Sequence, residues 1–448
     1  MRSTRSRRPS ATAFALALVL TACSFNNGYV LDVAIDGGDR GAVVGDSLAL
    51  SAAVVRGGGA TDHVTWSSSD AAVATIDADG RVASTASGPT EITATSVSDP
   101  SKSDTINLTV DPAGALRWTR QFGTSDGDVA RGVATDASGN VFVAGTTFGA
   151  LDGSNAGGQD VFVRAYDVDG DLRWTRQFGS AADEVVFGAA TDASGHVYVA
   201  GRTEGALDGS HAGGWDVFVR AYDADGDLRW SRQFGTADED VARGVATDAS
   251  GHVYVVGYTA GALDGSSAGG WDGFVRAYAV DGSLRWTRQF GSSEWDEARG
   301  VATDANGHVY VVGDTQGALD GSSAGGTDGF LRAYDAGGDL RWARQFGTAA
   351  SDVPLAVASA PNGQVRVAGY TFGALEGSNA GTTDAFVRAY APDGNVRWTR
   401  QFGTAGQDAV FGVATDASGG AFVVGYSGGA LEGSSAGGND AFVRAYGR

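Results

Sequence analysis

Short runs of alternating apolar and polar residues fill residues 29–111, and Gly, Asp and Pro separate these runs. Residues 47–52 and 91–95 are two examples, and no helical period of apolar positions occurs in this segment. Alternation with a period of two places one face of a strand against a core and the other face in water. The pattern therefore predicts a small antiparallel β-sandwich over residues 29–111.

The rest of the chain repeats with a period of 56 residues, and residues 113–448 hold six whole periods. The motif Leu-Arg-Trp-x-Arg-Gln-Phe-Gly, with Val-Arg-Trp in one copy, marks each period. Its tryptophans are Trp118, Trp174, Trp230, Trp286, Trp342 and Trp398. A period near 50 residues with several strands per unit is typical of a β-propeller, in which each repeat forms one blade.

The sequence of each period predicts four strands, which we call D, A, B and C in chain order. In the first period they cover residues 116–122, 129–135, 141–145 and 161–166. The array begins with a D strand and ends after a C strand. The sequence therefore predicts an all-β, six-bladed ring in which the D strand of residues 116–122 completes the last blade and removes its open edges. An open solenoid is the alternative.

Both parts of the chain resemble bacterial families. Residues 66–70, 73–77 and 106–110 are similar to the group 2 bacterial Ig-like domain, which implies a stalk or adhesin module. Residues 135–145 and 160–166, with their copies, resemble the bacterial β-propeller repeat called SBBP. That family's name implies seven blades, whereas this chain encodes six. The resemblance brings no catalytic residues.

The N-terminus has the pattern of an export signal. Four arginines precede an apolar stretch at residues 11–20 that is too short to span a bilayer as a mature helix. Leu20-Thr21-Ala22-Cys23 resembles the bacterial lipobox, which implies removal of residues 1–22 and a lipid on Cys23. We expect a tether over residues 23–28 and an exported protein anchored at the outer membrane or cell surface. An ordinary signal peptide with an incidental Cys is the alternative.

Composition narrows the choice of partners. A net charge of -21 makes binding to nucleic acid unfavourable, because a protein that binds phosphates needs a basic surface. The 70 glycines indicate many turns, while 42% hydrophobic residues are enough for packed cores. Because Cys23 is the only cysteine, no disulfide can form within the chain. We expect a monomer.

One acidic residue precedes every A strand, and a closed ring would place these six carboxylates around one end of the channel. They are Asp128, Glu184, Asp240, Asp296, Asp352 and Asp408. Carboxylates in this arrangement could bind a cation such as Ca²⁺. In the alternative interpretation each acid satisfies backbone N–H groups or an arginine of its own blade. We expect no other cofactor.

Differences between the copies point to a second candidate site, because a ligand on near-identical blades needs residues that only some blades have. Trp215 and Trp271 occupy a B-to-C loop position that is polar in the other copies, and Trp295 lies in a D-to-A loop. His211 is close to Trp215 in the sequence. Three tryptophans on one face could stack against sugar rings or anchor a protein. Alternatively, they fold down as loop cores.

These patterns favour a non-catalytic binding or adhesion scaffold that displays a propeller on an Ig-like stalk. The alternatives are a glycan-active hydrolase or lyase that uses an acid of the ring, and a purely structural envelope protein. The near-identity of the blades argues against the hydrolase or lyase hypothesis, because the two carboxylates of a catalytic pair need different environments.

Overall fold

The computed structural model describes residues 29–447 except 37–39, 44, 46, 58–62, 112–115, 117, 210, 417–418 and 436. The expected signal peptide and tether, with Cys23, lie outside the described residues. The chain divides into two compact units, Met1–Arg117 and Trp118–Arg448.

The described residues of the first unit form three sheets. Their strands, in sheet order, are β1 (Tyr29–Ile35) and β4 (Ala52–Gly57); β2 (Arg40–Val43), β9 (Ser103–Asp111), β8 (Gly88–Ser96) and β5 (Val64–Ser68); and β3 (Ser47–Ala49), β7 (Arg81–Ser84) and β6 (Ala74–Ile76). Residues that alternate with more exposed ones form the core, as Ile92 and Ala94 do in β8, where both are fully buried. The unit differs from an all-antiparallel sandwich because β2 pairs with β9 in parallel.

The second unit consists of six consecutive antiparallel sheets, numbered 1 to 6 in chain order, and the first five have four strands each. Their strands follow in the order A, B, C, D. They are β10 (Asp128–Thr135), β11 (Val141–Thr147), β12 (Asp160–Tyr166) and β13 (Leu172–Phe178); β14 (Glu184–Thr191), β15 (Val197–Thr203), β16 (Asp216–Tyr222) and β17 (Leu228–Phe234); β18 (Asp240–Thr247), β19 (Val253–Thr259), β20 (Asp272–Tyr278) and β21 (Leu284–Phe290); β22 (Asp296–Thr303), β23 (Val309–Thr315), β24 (Asp328–Tyr334) and β25 (Leu340–Phe346); β26 (Asp352–Ser359), β27 (Val365–Thr371), β28 (Asp384–Tyr390) and β29 (Val396–Phe402); and, in sheet 6, β30 (Asp408–Thr415), β31 (Ala421–Ser427) and β32 (Asp440–Tyr446).

Apolar residues lie between successive sheets, because the first four residues of the B strand are apolar in most copies. Phe142 and Trp174 of sheet 1 share a core with Val199 and Phe218 of sheet 2.

At one end of the A strands a threonine or serine hydroxyl donates a hydrogen bond to the backbone carbonyl of the residue 56 positions earlier. This ladder runs Thr191 to Thr135, Thr247 to Thr191, Thr303 to Thr247, Ser359 to Thr303 and Thr415 to Ser359, at 2.5–2.7 Å. The arrangement is a propeller-like all-β fold.

The two ends of the array differ from the sequence prediction. Residues 118–124 form no strand, and sheet 6 has three strands. A strand needs a hydrogen-bonded neighbour, and in this structure β32 does not pair with residues 118–122. Closure of the ring is therefore not confirmed.

The D segment at residues 118–122 nevertheless packs on sheet 1. It does so in the way that each D strand packs on the next sheet along the chain. Trp118 Nε1 donates to the carbonyl of Val168 at 3.2 Å, and Arg120 Nε donates to that of Gly170 at 2.6 Å. Trp174 and Arg176 of β13 make the same two contacts with sheet 2. The segment thus occupies the place of a D strand that belongs to a sheet preceding sheet 1.

Candidate ligand-binding face

Two of the three candidate tryptophans stack on one another. Trp271 lies directly before β20 and Trp295 directly before β22, in loops of neighbouring sheets. Their ring centroids are 4.8 Å apart and their planes differ by 16°. The other face of Trp271 stacks on Tyr258 of β19 at 4.3 Å and 17°. Trp271 is therefore enclosed between two rings, whereas Trp295 is 53% exposed.

Trp215 does not join this stack. The guanidinium carbon of Arg202 lies 3.6 Å from its ring centroid, and its Nε1 donates to Glu204 Oε1 at 2.9 Å. Arg202 and Glu204 belong to β15 and the turn after it. His211 is half-buried nearby in the same loop, and its Nε2 has no hydrogen-bond partner among the described residues. The structure thus divides the expected platform of three tryptophans into two aromatic groups.

A network of charged residues adjoins the aromatic stack. Arg243 of β18 donates from Nε to Glu297 Oε1 at 2.6 Å, and Arg299 Nη2 lies 2.6 Å from Glu297 Oε2. Arg299 also pairs with Asp314. The guanidinium of Arg243 lies 5.5 Å from the ring of Tyr258, so the network touches the base of the stack.

The sequence analysis missed these strand residues, although the criterion of differences between copies could have found them. The fourth position of the A strand holds Arg131, Phe187, Arg243, Arg299, Leu355 and Phe411. The sixth position of the B strand holds Thr146, Arg202, Tyr258, Asp314, Tyr370 and Tyr426. Both positions vary strongly, whereas the other strand positions hold similar residues in most copies. Variation between the copies therefore extends from the loops into the strands.

The arginines of the face differ in electrostatic environment. Burial tends to lower the pKa of Arg299, but Asp314 and Glu297 outweigh it and raise that pKa above the usual value. Burial lowers the pKa of Arg202, and Tyr258 and Glu204 oppose this effect only in part. Within the described part of the chain no carboxylate lies within 4 Å of Arg202. Arg202 thus lies against an aromatic ring, whereas Arg299 is paired with carboxylates.

The six acids, expected just before the A strands, are the first residues of those strands in the structure. Each carboxylate accepts a hydrogen bond from the backbone N–H four residues earlier in its own loop, at 2.6 or 2.7 Å. Burial, opposed by these hydrogen bonds, raises the pKa of Glu184, Asp240, Asp296 and Asp352. Among the described residues, no three His, Cys, Asp or Glu side chains come together in a way that could hold a metal ion. The Ca²⁺ ring therefore stays a prediction. One oxygen of each carboxylate accepts from its own loop, whereas Oδ1 of Asp128, Asp240, Asp296 and Asp408 is buried without a hydrogen-bond partner among the described residues.

Comparison with known sequences identifies both parts of the chain. Residues 117–150, 229–263, 285–319 and 397–431 match the β-propeller repeat SBBP, and residues 42–106 match the group 2 bacterial Ig-like domain. The chain carries SBBP β-propeller repeats after a bacterial Ig-like domain. The described residues contain no helix that is long and apolar enough to cross a membrane.

The curated relatives are much longer proteins. The regulatory protein FlaEY of Caulobacter vibrioides is 29% identical over 41% of this chain and 21% of its own length. A 3-O-alpha-D-galactosyl-alpha-L-arabinofuranosidase of Bifidobacterium longum subsp. longum is 45% identical over 15% of this chain and 6% of its own length. This chain therefore spans about a fifth of the first relative and a small part of the second.

Solved structures align at low sequence identity. A luciferin-regenerating enzyme has a TM-score of 0.37 at 14% identity, covering 71% of this chain and 91% of that one. The β-propeller domain of the trilobed protease from Pyrococcus furiosus has a TM-score of 0.32 at 8% identity, covering 70% and 92%.

Proposed function

We propose that this protein is a non-catalytic binding scaffold of the bacterial surface, in which SBBP repeats present a ligand-binding face on an Ig-like stalk. The observation that carries the proposal is the stack of Tyr258, Trp271 and Trp295, because its outermost ring remains more than half exposed. A large aromatic ring that is fixed from behind and open in front can stack against a sugar ring without losing side-chain entropy on binding.

The ligand proposed for this face is a saccharide. Arg202 next to Trp215 offers hydrogen-bond donors and a positive charge beside a second aromatic ring. The ion pairs of Arg243 and Arg299 hold the strands beneath the stack in one arrangement. A protein partner that inserts an aromatic side chain is the alternative occupant, since exposed Trp is also a common anchor at protein interfaces.

We also propose that the repeats form a closed six-bladed ring. A pocket of about 480 Å³ lies on sheet 6, lined by Gly429, Leu431, Glu432 and Asp440 among others. In sheets 1 to 5 the corresponding groups bind the Gln of a D strand. Gln121 of the D segment has the matching position in the repeat. Closure would seat it there and give sheet 6 its fourth strand.

The proposal includes export through residues 1–22 and lipid attachment at Cys23, with the mature chain acting as a monomer that does not bind nucleic acid. Metabolic labelling with an alkyne fatty acid tests this part. Label on the wild-type chain but not on a Cys23→Ala variant supports the anchor. Equal labelling of both would contradict it.

The ligand-binding test is a glycan and cell-envelope polysaccharide array, probed with the full chain in detergent with and without Ca²⁺. Wild type is compared with Trp295→Ala and with Phe148→Ala, because Phe148 is an equally exposed aromatic residue on another sheet. Binding that Trp295→Ala removes and Phe148→Ala retains supports the site. Binding that both variants retain would place the ligand elsewhere, and no binding by wild type would favour a protein partner or a structural role.

A further inference from the structure

The two arginines beside the aromatic stack are β-bulge residues. In every A strand the register with the B strand shifts between the third and fifth residues. The variable fourth position is therefore the bulge, and in sheets 3 and 4 it holds Arg243 and Arg299. A bulge leaves its residue unpaired in the ladder and re-aims the side chain. The bulges thus present different side chains on otherwise similar strands.

The bulged arginines belong to a network without net charge. Two positive charges, of Arg243 and Arg299, are balanced by two negative charges, of Glu297 and Asp314. The side chains of the arginines are 32% and 28% exposed, whereas those of the acids are 9% and 14% exposed. The surface of the network therefore offers fixed N–H donors to acceptor oxygens and does not require a charged ligand.

A second exposed aromatic ring lies on the far side of this network. Burial raises the pKa of Tyr370 in β27, and the nearby charges of Arg299 and Asp314 act on it in opposite directions. Phe372 follows directly after β27, with its ring centroid 5.9 Å from that of Tyr370 and the planes at 75°. Phe372 is 46% exposed, although sheets 4 and 6 contact sheet 5 on either side. Its exposure therefore does not depend on whether the ring closes.

Backbone hydrogen bonds place Phe372 one sheet away from Trp295. The N–H of Gln316, directly after β23, donates to the carbonyl of Trp295 at 2.9 Å, and the N–H of Phe372 donates to that of Ser351 at 2.8 Å. Phe372 and Ser351 are the copies of Gln316 and Trp295, 56 residues later. The two exposed rings thus start from paired positions in neighbouring sheets, and packed sheets lie about 10 Å apart. A single sugar ring cannot stack on both.

We infer that the ligand-binding face has a second aromatic subsite at Tyr370 and Phe372, and that its ligand is an extended neutral saccharide reaching there from Trp295 across the bulged arginines. The inference rests on the proposed saccharide-binding function and specifies its ligand. The two exposed rings stack on separate sugar units. The arginine N–H groups between them bind hydroxyl oxygens of the intervening part of the chain.

Sheet 1 supplies a matched control for the second subsite. Phe148 has the same position in its repeat as Phe372 and is 53% exposed. Thr146 occupies the place of Tyr370 there, so Phe148 lacks the aromatic neighbour of the subsite. Phe148→Ala therefore removes an equally exposed ring from a position that the inference does not assign to the ligand.

The first experiment is native electrophoresis of the full chain in detergent, through gels that contain dextran, glucomannan, xylan, laminarin or the anionic polymer alginate. We expect a neutral polymer to retain the wild type, and Phe372→Ala to weaken retention about tenfold while Phe148→Ala does not. Loss of retention in Trp295→Ala with none in Phe372→Ala overturns the second subsite and leaves the proposed function standing. Retention by alginate alone overturns the neutral ligand, and no retention by any polymer contradicts both the function and the inference.

The second experiment measures affinity for fragments of the retained polymer, from the monosaccharide to long oligosaccharides. The wild type should bind more tightly as the fragment lengthens, until both subsites are filled. In Phe372→Ala the affinity should stop rising at a shorter length, whereas Phe372→Trp, which keeps an aromatic ring, should restore the longer range. The same length dependence in wild type and Phe372→Ala would contradict the inference, as would full binding of a monosaccharide.

Discussion

Nε2 of Gln177 lies 2.8 Å from Oδ2 of Asp160 and joins the D strand of sheet 1 to the start of its C strand. The Gln also donates to the carbonyl of Gly149, and its Oε1 accepts from the N–H groups of Leu151 and Asp152. The same pair recurs in sheets 2 to 5 as Gln233–Asp216, Gln289–Asp272, Gln345–Asp328 and Gln401–Asp384. This one amide therefore fixes the long B-to-C loop, which carries the candidate face.

Gln121 provides a direct test of ring closure. If Gln121 occupies the pocket on sheet 6, Gln121→Ala will remove a buried amide. Asp440 and two backbone N–H groups would then lose the hydrogen bonds that this amide makes. The expected loss is about 1–3 kcal/mol in the free energy of unfolding, similar to that of Gln345→Ala. The measurement is chemical denaturation of wild type and both variants. A loss for Gln345→Ala with none for Gln121→Ala would show that the ring is open.

Gly282 illustrates how neighbouring sheets are locked together. It has a φ of +78° in the turn between β20 and β21, and a Cβ added there would lie 2.6 Å from Trp230 of sheet 2. We expect Gly282→Ala to destabilise the protein by about 2–4 kcal/mol, because backbone strain and a clash with a packed ring add together.

The control for this substitution is Gly265→Ala. Gly265 has a similar φ of +86°, but a Cβ added there has no atom within 4 Å. It should show only the backbone cost of about 1 kcal/mol. The measurement is the Tm of both variants in thermal unfolding, and Gly282→Ala should lower it more than Gly265→Ala does. Equal shifts in Tm would mean that the contact with Trp230 is unimportant.

The strands and their order could be predicted from the sequence because the 56-residue period shows each strand six times. Burial of Phe142 and Val199 also follows from the pattern of B strands. Whether residues 118–122 pair as a strand could not be predicted, because this depends on whether the two distant ends of the array meet. The separation of Trp215 from Trp271 depends on Arg202, a strand residue whose side-chain direction is not visible in a loop alignment.

Two buried aspartates should affect stability in opposite directions as pH changes. Burial tends to raise the pKa of Asp248, but hydrogen bonds from His252 and Tyr254 outweigh burial and lower it. Asp248 therefore stabilises the fold above its unfolded-state pKa, near 3.9, and this contribution is lost as pH falls through the lower folded-state pKa. Burial raises the pKa of Asp296, so its contribution is present at low pH and is lost as pH rises through the raised value.

The measurement is the difference in Tm between wild type and each Asn variant from about pH 7 to pH 3. On acidification the advantage of wild type over Asp248→Asn should shrink, while wild type should gain relative to Asp296→Asn. Each variant serves as the control for the other. Parallel changes in both would show that one of the two directions is wrong.

Trp271 and Trp295 should differ in what they contribute to stability. Trp271 contacts a ring on each face, so Trp271→Ala removes two stacking contacts and should cost about 1–3 kcal/mol. Trp295 has one stacking neighbour and is 53% exposed, so Trp295→Ala should cost about 1 kcal/mol or less. Denaturant unfolding of both variants, with Trp295→Phe as a conservative control, gives the comparison. If Trp295→Ala costs as much as Trp271→Ala, then Trp295 is loop core. An exposed ring that contributes little to folding but is held in a fixed stack is better explained by a ligand.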